Sequence, residues 1–174
     1  MQRNLIWALS IFLSLNQTAE SKWVCNETTN TIKDHQSIEG PCGQINLKYS
    51  FGSSLVKANY TKAKFKPNYI NEFYIAQSTF EKSQWNFMNV NKTKFKGVNF
   101  SGAQIKGTKF INVDFSNVNF SSSDLAGTQF VNCQFDQVLF TGANLSGTVF
   151  QFNNFINTQL PENSGYFLSG NTSQ

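Results

Sequence analysis

One imidazole, three thiols and ten carboxylates are the main supply of acid–base, nucleophilic and metal-binding side chains in this chain of 174 residues. His35 stands alone, and Cys25, Cys42 and Cys133 are far apart, so no cluster has the ligand spacing of a zinc site. Paired carboxylates that hydrolyse glycosides need a cleft and a separation of about 5–9 Å. Asp114 and Asp136 come nearest, but a five-residue spacing in the chain puts them facing outward on one side of neighbouring units, where no cleft is expected. The glycines follow that same spacing rather than the pattern of a phosphate-cradling loop. The expectation is a non-enzyme with no catalytic residues, no cofactor and no metal, in which His35 is a solvated loop residue.

The remaining cysteine chemistry depends on compartment. Arg3 supplies a positive start, Leu5 to Leu15 is uncharged and mostly apolar, and the small residues Ala19 and Ser21 follow. This is the pattern of a secretory signal over residues 1–21, and its apolar run is too short to span a bilayer, which takes about 20 residues. Cleavage after Ser21 leaves a small–x–small site; cleavage after Ala19 is the alternative. The mature protein is therefore expected to be exported: periplasmic or extracellular, or in the thylakoid lumen or secretory pathway of a eukaryote. No transmembrane segment is expected once the signal is removed. A Cys25–Cys42 disulfide suits that compartment and would close a loop of about 17 residues, worth roughly 3 kcal/mol.

The elements that carry these residues follow from one period. Every fifth residue from Leu55 to Leu160 is large and apolar over 22 successive positions, and twelve of the 18 phenylalanines sit on that register. Two residues before each lies a small or β-branched residue, such as Ala58, Val98, Ala103, Thr128 or Cys133, with a polar residue such as Asn99 or Asp124 between them. Two side chains pointing one way and one the other is strand alternation over three residues. Two turning residues complete the unit, and Gly97, Gly102, Gly107, Gly127, Gly142 and Gly147 stand at the turn. Low charge (14%) and high aromatic content (15%) exclude a disordered tail.

Gly142-Ala143-Asn144-Leu145-Ser146-Gly147, Ser123-Asp124-Leu125-Ala126-Gly127 and Gly97-Val98-Asn99-Phe100-Ser101-Gly102 resemble the pentapeptide repeat family. The resemblance covers about residues 53–162. It implies an all-β fold, a right-handed four-sided β-helix with 20 residues per coil and about five and a half coils, roughly 26 Å tall at the usual strand spacing. It also implies two known behaviours of the family: mimicry of DNA in binding type II topoisomerases, and homodimerisation through the terminal coils. The first calls for a cytoplasmic, strongly acidic column, which a secretion signal and a basic half both oppose.

Stacking by 20 predicts three phenylalanine ladders, one each through Phe95, Phe80 and Phe110, and a fourth side of Ile105, Leu125 and Leu145. Cys133 falls on the inward small position as an inert filler, and Thr108, Thr128 and Thr148 also point inward, which disfavours an outward ice-binding threonine row. Phe73 and Met88 are large, and Asn68 polar, at inward small positions, so a bulge or distorted coil is expected between Pro67 and Val90. Pro161 ends the register. Residues 163–174 are expected to fold back over the last coil, with Tyr166, Phe167 and Leu168 as the cap, and residues 22–52 to cap the other end.

Charge is distributed unevenly. Residues 48–109 contain 11 lysines and two acids, Glu72 and Glu81; residues 110–174 contain four acids and no lysine or arginine. Lys62, Lys64, Lys66, Lys82, Lys94 and Lys96 are candidate contacts for a polyanion or an anionic cell surface, spread around the column with no single groove. Ile111, Val131, Val149 and Phe152 are apolar at outward positions on one side, a candidate interface either for a second copy or for the chain's own tail. The leading expectation is a rigid, exported scaffold that presents a surface to another macromolecule, with no specific nucleic acid predicted. Asn-x-Ser/Thr sequons at Asn26, Asn59, Asn91, Asn99, Asn119, Asn144 and Asn171 are in part a by-product of the repeat.

Overall fold

The computed structural model describes residues 44–45, 54–67, 69–162 and 164–174. The signal segment, His35, Cys25 and Cys42 with their disulfide, Asn68, and most of the 22–52 segment lie outside the described residues.

The chain winds as a parallel β-solenoid of about six turns, with no helix among the described residues. One side is a six-stranded sheet of β4 (Tyr69–Asn71), β6 (Asn89–Asn91), β8 (Lys109–Ile111), β10 (Gln129–Val131), β12 (Val149–Gln151) and β14 (Phe167–Ser169). The next is seven-stranded: β2 (Ser54–Val56), β5 (Tyr74–Ala76), β7 (Lys94–Lys96), β9 (Asp114–Ser116), β11 (Gln134–Asp136), β13 (Asn154–Ile156) and β15 (Thr172–Ser173). The third side pairs β1 (Gln44–Ile45) with β3 (Lys64–Phe65) and continues through single bridges from Lys64 by way of Gln84, Gln104 and Asp124 to Asn144. The fourth runs from Asn59 by way of Thr79, Asn99, Asn119 and Leu139 to Gln159. Partners such as Gln129 and Val149, or Phe95 and Phe115, lie 20 residues apart, so each coil repeats the one before.

The core is what the period demands. The middle residue of each strand points inward, and the rings stack. Phe95, Phe115, Phe135 and Phe155 succeed one another at 5.4, 5.1 and 4.9 Å between centroids with planes 7–12° apart. Phe80, Phe100, Phe120 and Phe140 form a second ladder, and Phe110, Phe130 and Phe150 a third. The inward small positions tolerate hydroxyls because each finds a carbonyl. Thr108, Thr128 and Thr148 donate to the oxygens of Trp85, Ile105 and Leu125 at 2.6, 2.7 and 2.8 Å, so burial leaves no polar group unpaired there. Outside, Asn59, Asn99, Asn119 and Asn144 each accept a hydrogen bond from the backbone N–H two residues on. That Asx geometry closes the turn.

Two expectations are corrected. No bulge interrupts the described residues between Pro67 and Val90: Tyr69 pairs with Asn89 and Tyr74 with Lys94 at the ordinary step. Phe73 and Met88 are buried among Ile70, Ile75 and Val90, so large side chains at small positions are offset by smaller ones at the large positions. The tail does lie over the last coil, but of the expected cap residues only Tyr166 packs inward. After Pro161 the step shortens from 20 to 18, Phe167 pairs with Val149, and β14 and β15 add another rung. Tyr166 packs edge-on against Phe150 at 5.9 Å, whereas Phe167 points outward and Leu168, aligned with Phe150, stays open at the end of the column. These strands, together with β1 upstream, account for the height beyond five and a half coils.

Candidate binding surfaces

The outward side chains are all that the column offers to a partner, since the inward ones are consumed in the ladders. Cys133 is among the consumed. Its thiol lies 3.4 Å from the carbonyl oxygens of Phe110 and Val131, and burial pushes its pKa up to about 12, so it stays a neutral filler. Asn153, one coil on, is a buried amide whose Oδ1 accepts from Cys133 N–H at 2.7 Å and whose Nδ2 donates to Phe130 O at 3.0 Å. Among the described residues two buried side-chain polar atoms have no partner, Tyr60 Oη and Trp85 Nε1, both in the coils nearest β1. Burial raises the Tyr60 pKa. Among the described residues no group of three His, Cys, Asp or Glu could hold a metal ion, and no helix is long and apolar enough to cross a membrane.

The six candidate lysines do not form one cluster. Lys62 and Lys82 sit at one corner, a coil apart. Lys64 and Lys66 lie on the side that begins at β3, and Lys94 and Lys96 on the seven-stranded sheet. Their charge is also unequally available. Lys82 pairs with Glu81 at 3.1 Å and Lys94 with Asp114 at 3.3 Å, while Lys92 meets Glu72 at 3.5 Å and Lys106 meets Asp124 at 2.8 Å. These are exposed pairs, each worth about 0–1 kcal/mol, and each offsets one lysine's charge locally. Among the described residues, Lys57, Lys62, Lys64, Lys66, Lys96 and Lys109 have no ion-pair partner. Among the described residues the pairs also consume four of the acids, leaving Asp136 and Glu162 outside them.

The apolar candidates do share a side. Ile111 and Val131 are direct partners on the six-stranded sheet, Val149 lies on the same face, and Phe152 follows at the corner. The tail covers part of this patch, since Phe167 pairs beside Val149 and the Phe152 ring lies over Gly170, where a Cβ would come within 2.5 Å of it. Phe152 and Phe167 nevertheless remain largely exposed.

A third set escaped the sequence reading. Tyr69, Tyr74 and Phe87 are exposed in the basic half. The signal for Phe87 was present in the pattern: it occupies the turn position that holds glycine at 107, 127 and 147, at φ +61°.

Comparison with known proteins agrees with the geometry. A pentapeptide repeat region model matches residues 53–130, and a model of eight pentapeptide repeats matches residues 128–162. Among curated proteins none matches this sequence. Similar solved structures include a trypsin-treated form of QnrB1, a plasmid-mediated fluoroquinolone resistance protein (15% identity, 88% of this chain and 86% of that one, TM-score 0.45). A pentapeptide repeat protein of the Arabidopsis thaliana thylakoid lumen has 17% identity over 64% of this chain and 68% of that one, with a TM-score of 0.31. HetL of the cyanobacterium Nostoc sp. strain PCC 7120 has 14% identity over 84% and 88%, with a TM-score of 0.19. With the two models together spanning the whole five-residue register that builds the column, the chain belongs to the pentapeptide repeat family.

Proposed function

We propose that this pentapeptide repeat protein is an exported, non-catalytic scaffold that binds an anionic surface through the lysines of its N-terminal coils. The observation that carries the reading is the set Lys62, Lys64 and Lys66, three cations without ion-pair partners within five residues, at the opposite end of the column from Asp136 and Glu162. A rigid column with one charged end orients itself on approach to a charged partner. The topoisomerase reading is weaker, because four of the acids that DNA mimicry would use are tied to lysines. The test is retention on an anionic polymer such as heparin. Retention should fall with added salt and should be lost when Lys62, Lys64, Lys66, Lys82, Lys94 and Lys96 are all changed to Gln. Retention that survives those changes overturns the reading.

A second reading concerns the other end. Phe152, Phe167 and Leu168 are exposed beside the last rung, whose strands β14 and β15 each lack a further neighbour. An apolar patch next to open strand edges suits a second copy of the same chain.

A further inference from the structure

We infer that the corner carrying Phe87 is a membrane-contact site, with the ring entering the interface of an anionic bilayer and the flanking lysines meeting its headgroups. This rests on the anionic-surface reading and names the surface.

Phe87 stands where the same corner otherwise holds glycine in the next coils. Phe87 holds φ +61°, a left-handed conformation that is uncommon for a bulky side chain and costs on the order of 1–2 kcal/mol. One and two coils on, the same corner carries Gly107 and Gly127, which adopt that conformation freely. Fold stability alone would therefore favour glycine at 87 as well. The ring gains little burial in exchange. One face lies on Gly107, where a Cβ would stand 2.8 Å from the ring, and the residue is still 64% exposed. Other side chains hold positive φ at the corners too, but apart from Phe152 they are polar or charged; an apolar, largely exposed ring at such a corner points to a role in contact.

The surroundings say which contact. Asn89, two residues from Phe87, pairs in the sheet with Tyr69 on one side and Lys109 on the other. Tyr69 is 53% exposed. Lys106 lies across the corner in the next coil, its N–H held at 2.9 Å by Asn86 Oδ1, and Lys66 lies one 20-residue step below Asn86. The result is a corner with a largely exposed apolar ring laid on Gly107, with the unpaired Lys66 and Lys109 nearby and Lys106 tied to Asp124. A nucleic acid or polysaccharide chain needs a track along which charges repeat, and a corner supplies none. A bilayer interface needs only an aromatic tip ringed by basic groups, and each lysine near an anionic surface adds favourable energy. The distant acidic coils are repelled by the same surface, which sets the orientation. Phe152 repeats the ring-over-glycine device at the other end, but its neighbours Gln151, Asn132 and Asn154 carry no charge to meet an anionic headgroup.

The experiment is co-sedimentation with vesicles of phosphatidylcholine alone and of phosphatidylcholine with phosphatidylglycerol, using protein purified with its natural mature N-terminus. Wild type should bind the anionic vesicles and not the neutral ones. Phe87→Gly should raise the melting temperature slightly, by removing the backbone strain, and keep the heparin retention, but partition at least about tenfold less. Phe87→Asn, which also tolerates positive φ, should behave the same way if the glycine variant folds poorly. Lys66→Gln and Lys109→Gln should each cost about fivefold. Equal vesicle binding by Phe87→Gly and wild type overturns the inference. So does wild type held by heparin or DNA but not by anionic vesicles, an outcome that leaves the anionic-surface reading standing. Loss of binding to heparin and vesicles alike in wild type removes both.

Discussion

Single side chains in this fold are judged by the rung above and the rung below. Thr128 is stable in the core because the Ile105 oxygen is 2.7 Å from its hydroxyl. Tyr60 has no such neighbour: its ring is stacked on Phe80 at 5.3 Å, but its hydroxyl is buried without a partner. A buried donor left unsatisfied costs about 1–3 kcal/mol. Tyr60→Phe keeps the ring and removes the hydroxyl, so it should raise stability by roughly 1 kcal/mol, read as a higher guanidinium midpoint at unchanged m-value. A lower midpoint would mean that the hydroxyl is paired after all. The same variant should not alter binding to any anionic surface, because the residue is wholly inside.

At the scale of the element, the unit is a three-residue strand and a two-residue corner. The corner dictates composition: Asn, Gly, Lys, Gln and Ser recur there at φ between about 46° and 68°. Gly127 isolates the conformational contribution, since a Cβ built on it meets nothing within 4 Å. Gly127→Ala should therefore cost about 1 kcal/mol through backbone strain alone, measured by denaturation. Gly107→Ala should cost more, because its Cβ would also displace the Phe87 ring. Equal costs would show that the ring gives way freely. The ladders tolerate exchange better than the corners do. Phe73 and Met88 beside Ile70 and Val90 keep a regular coil, as inward volume can be traded between neighbouring positions when the total is kept.

Across the whole molecule, stability is a sum of rung-on-rung contacts, and function falls to the ends and the outer faces. The two halves differ in charge, and the last rung leaves Phe167 and Leu168 uncovered. If that end binds a second copy, light scattering at the highest soluble concentration should give twice the monomer mass, and Phe152→Asp with Phe167→Asp should return the monomer. A wild-type monomer under those conditions would assign the patch to the tail alone. Dimerisation there would leave the basic coils at the two outer ends, free to meet an anionic surface.

The amino-acid sequence by itself determined the parallel coil, the inward register and the phenylalanine ladders. It could do so because a five-residue period is local and repeats 22 times, so each inward position is specified many times over. The six lysines and the outward apolar residues were legible as a list, but not as surfaces. Which lysines stand without an ion-pair partner depends on acids such as Asp114 and Asp124, 20 and 18 residues away from Lys94 and Lys106. Whether Phe87 lies against the column or stands out depends on the glycine at 107, one coil on. The closing rung depends on a turn after Pro161 that shortens the step by two residues. Outward side chains answer to neighbours in adjacent coils rather than to the period, and only the tertiary structure brings those neighbours together.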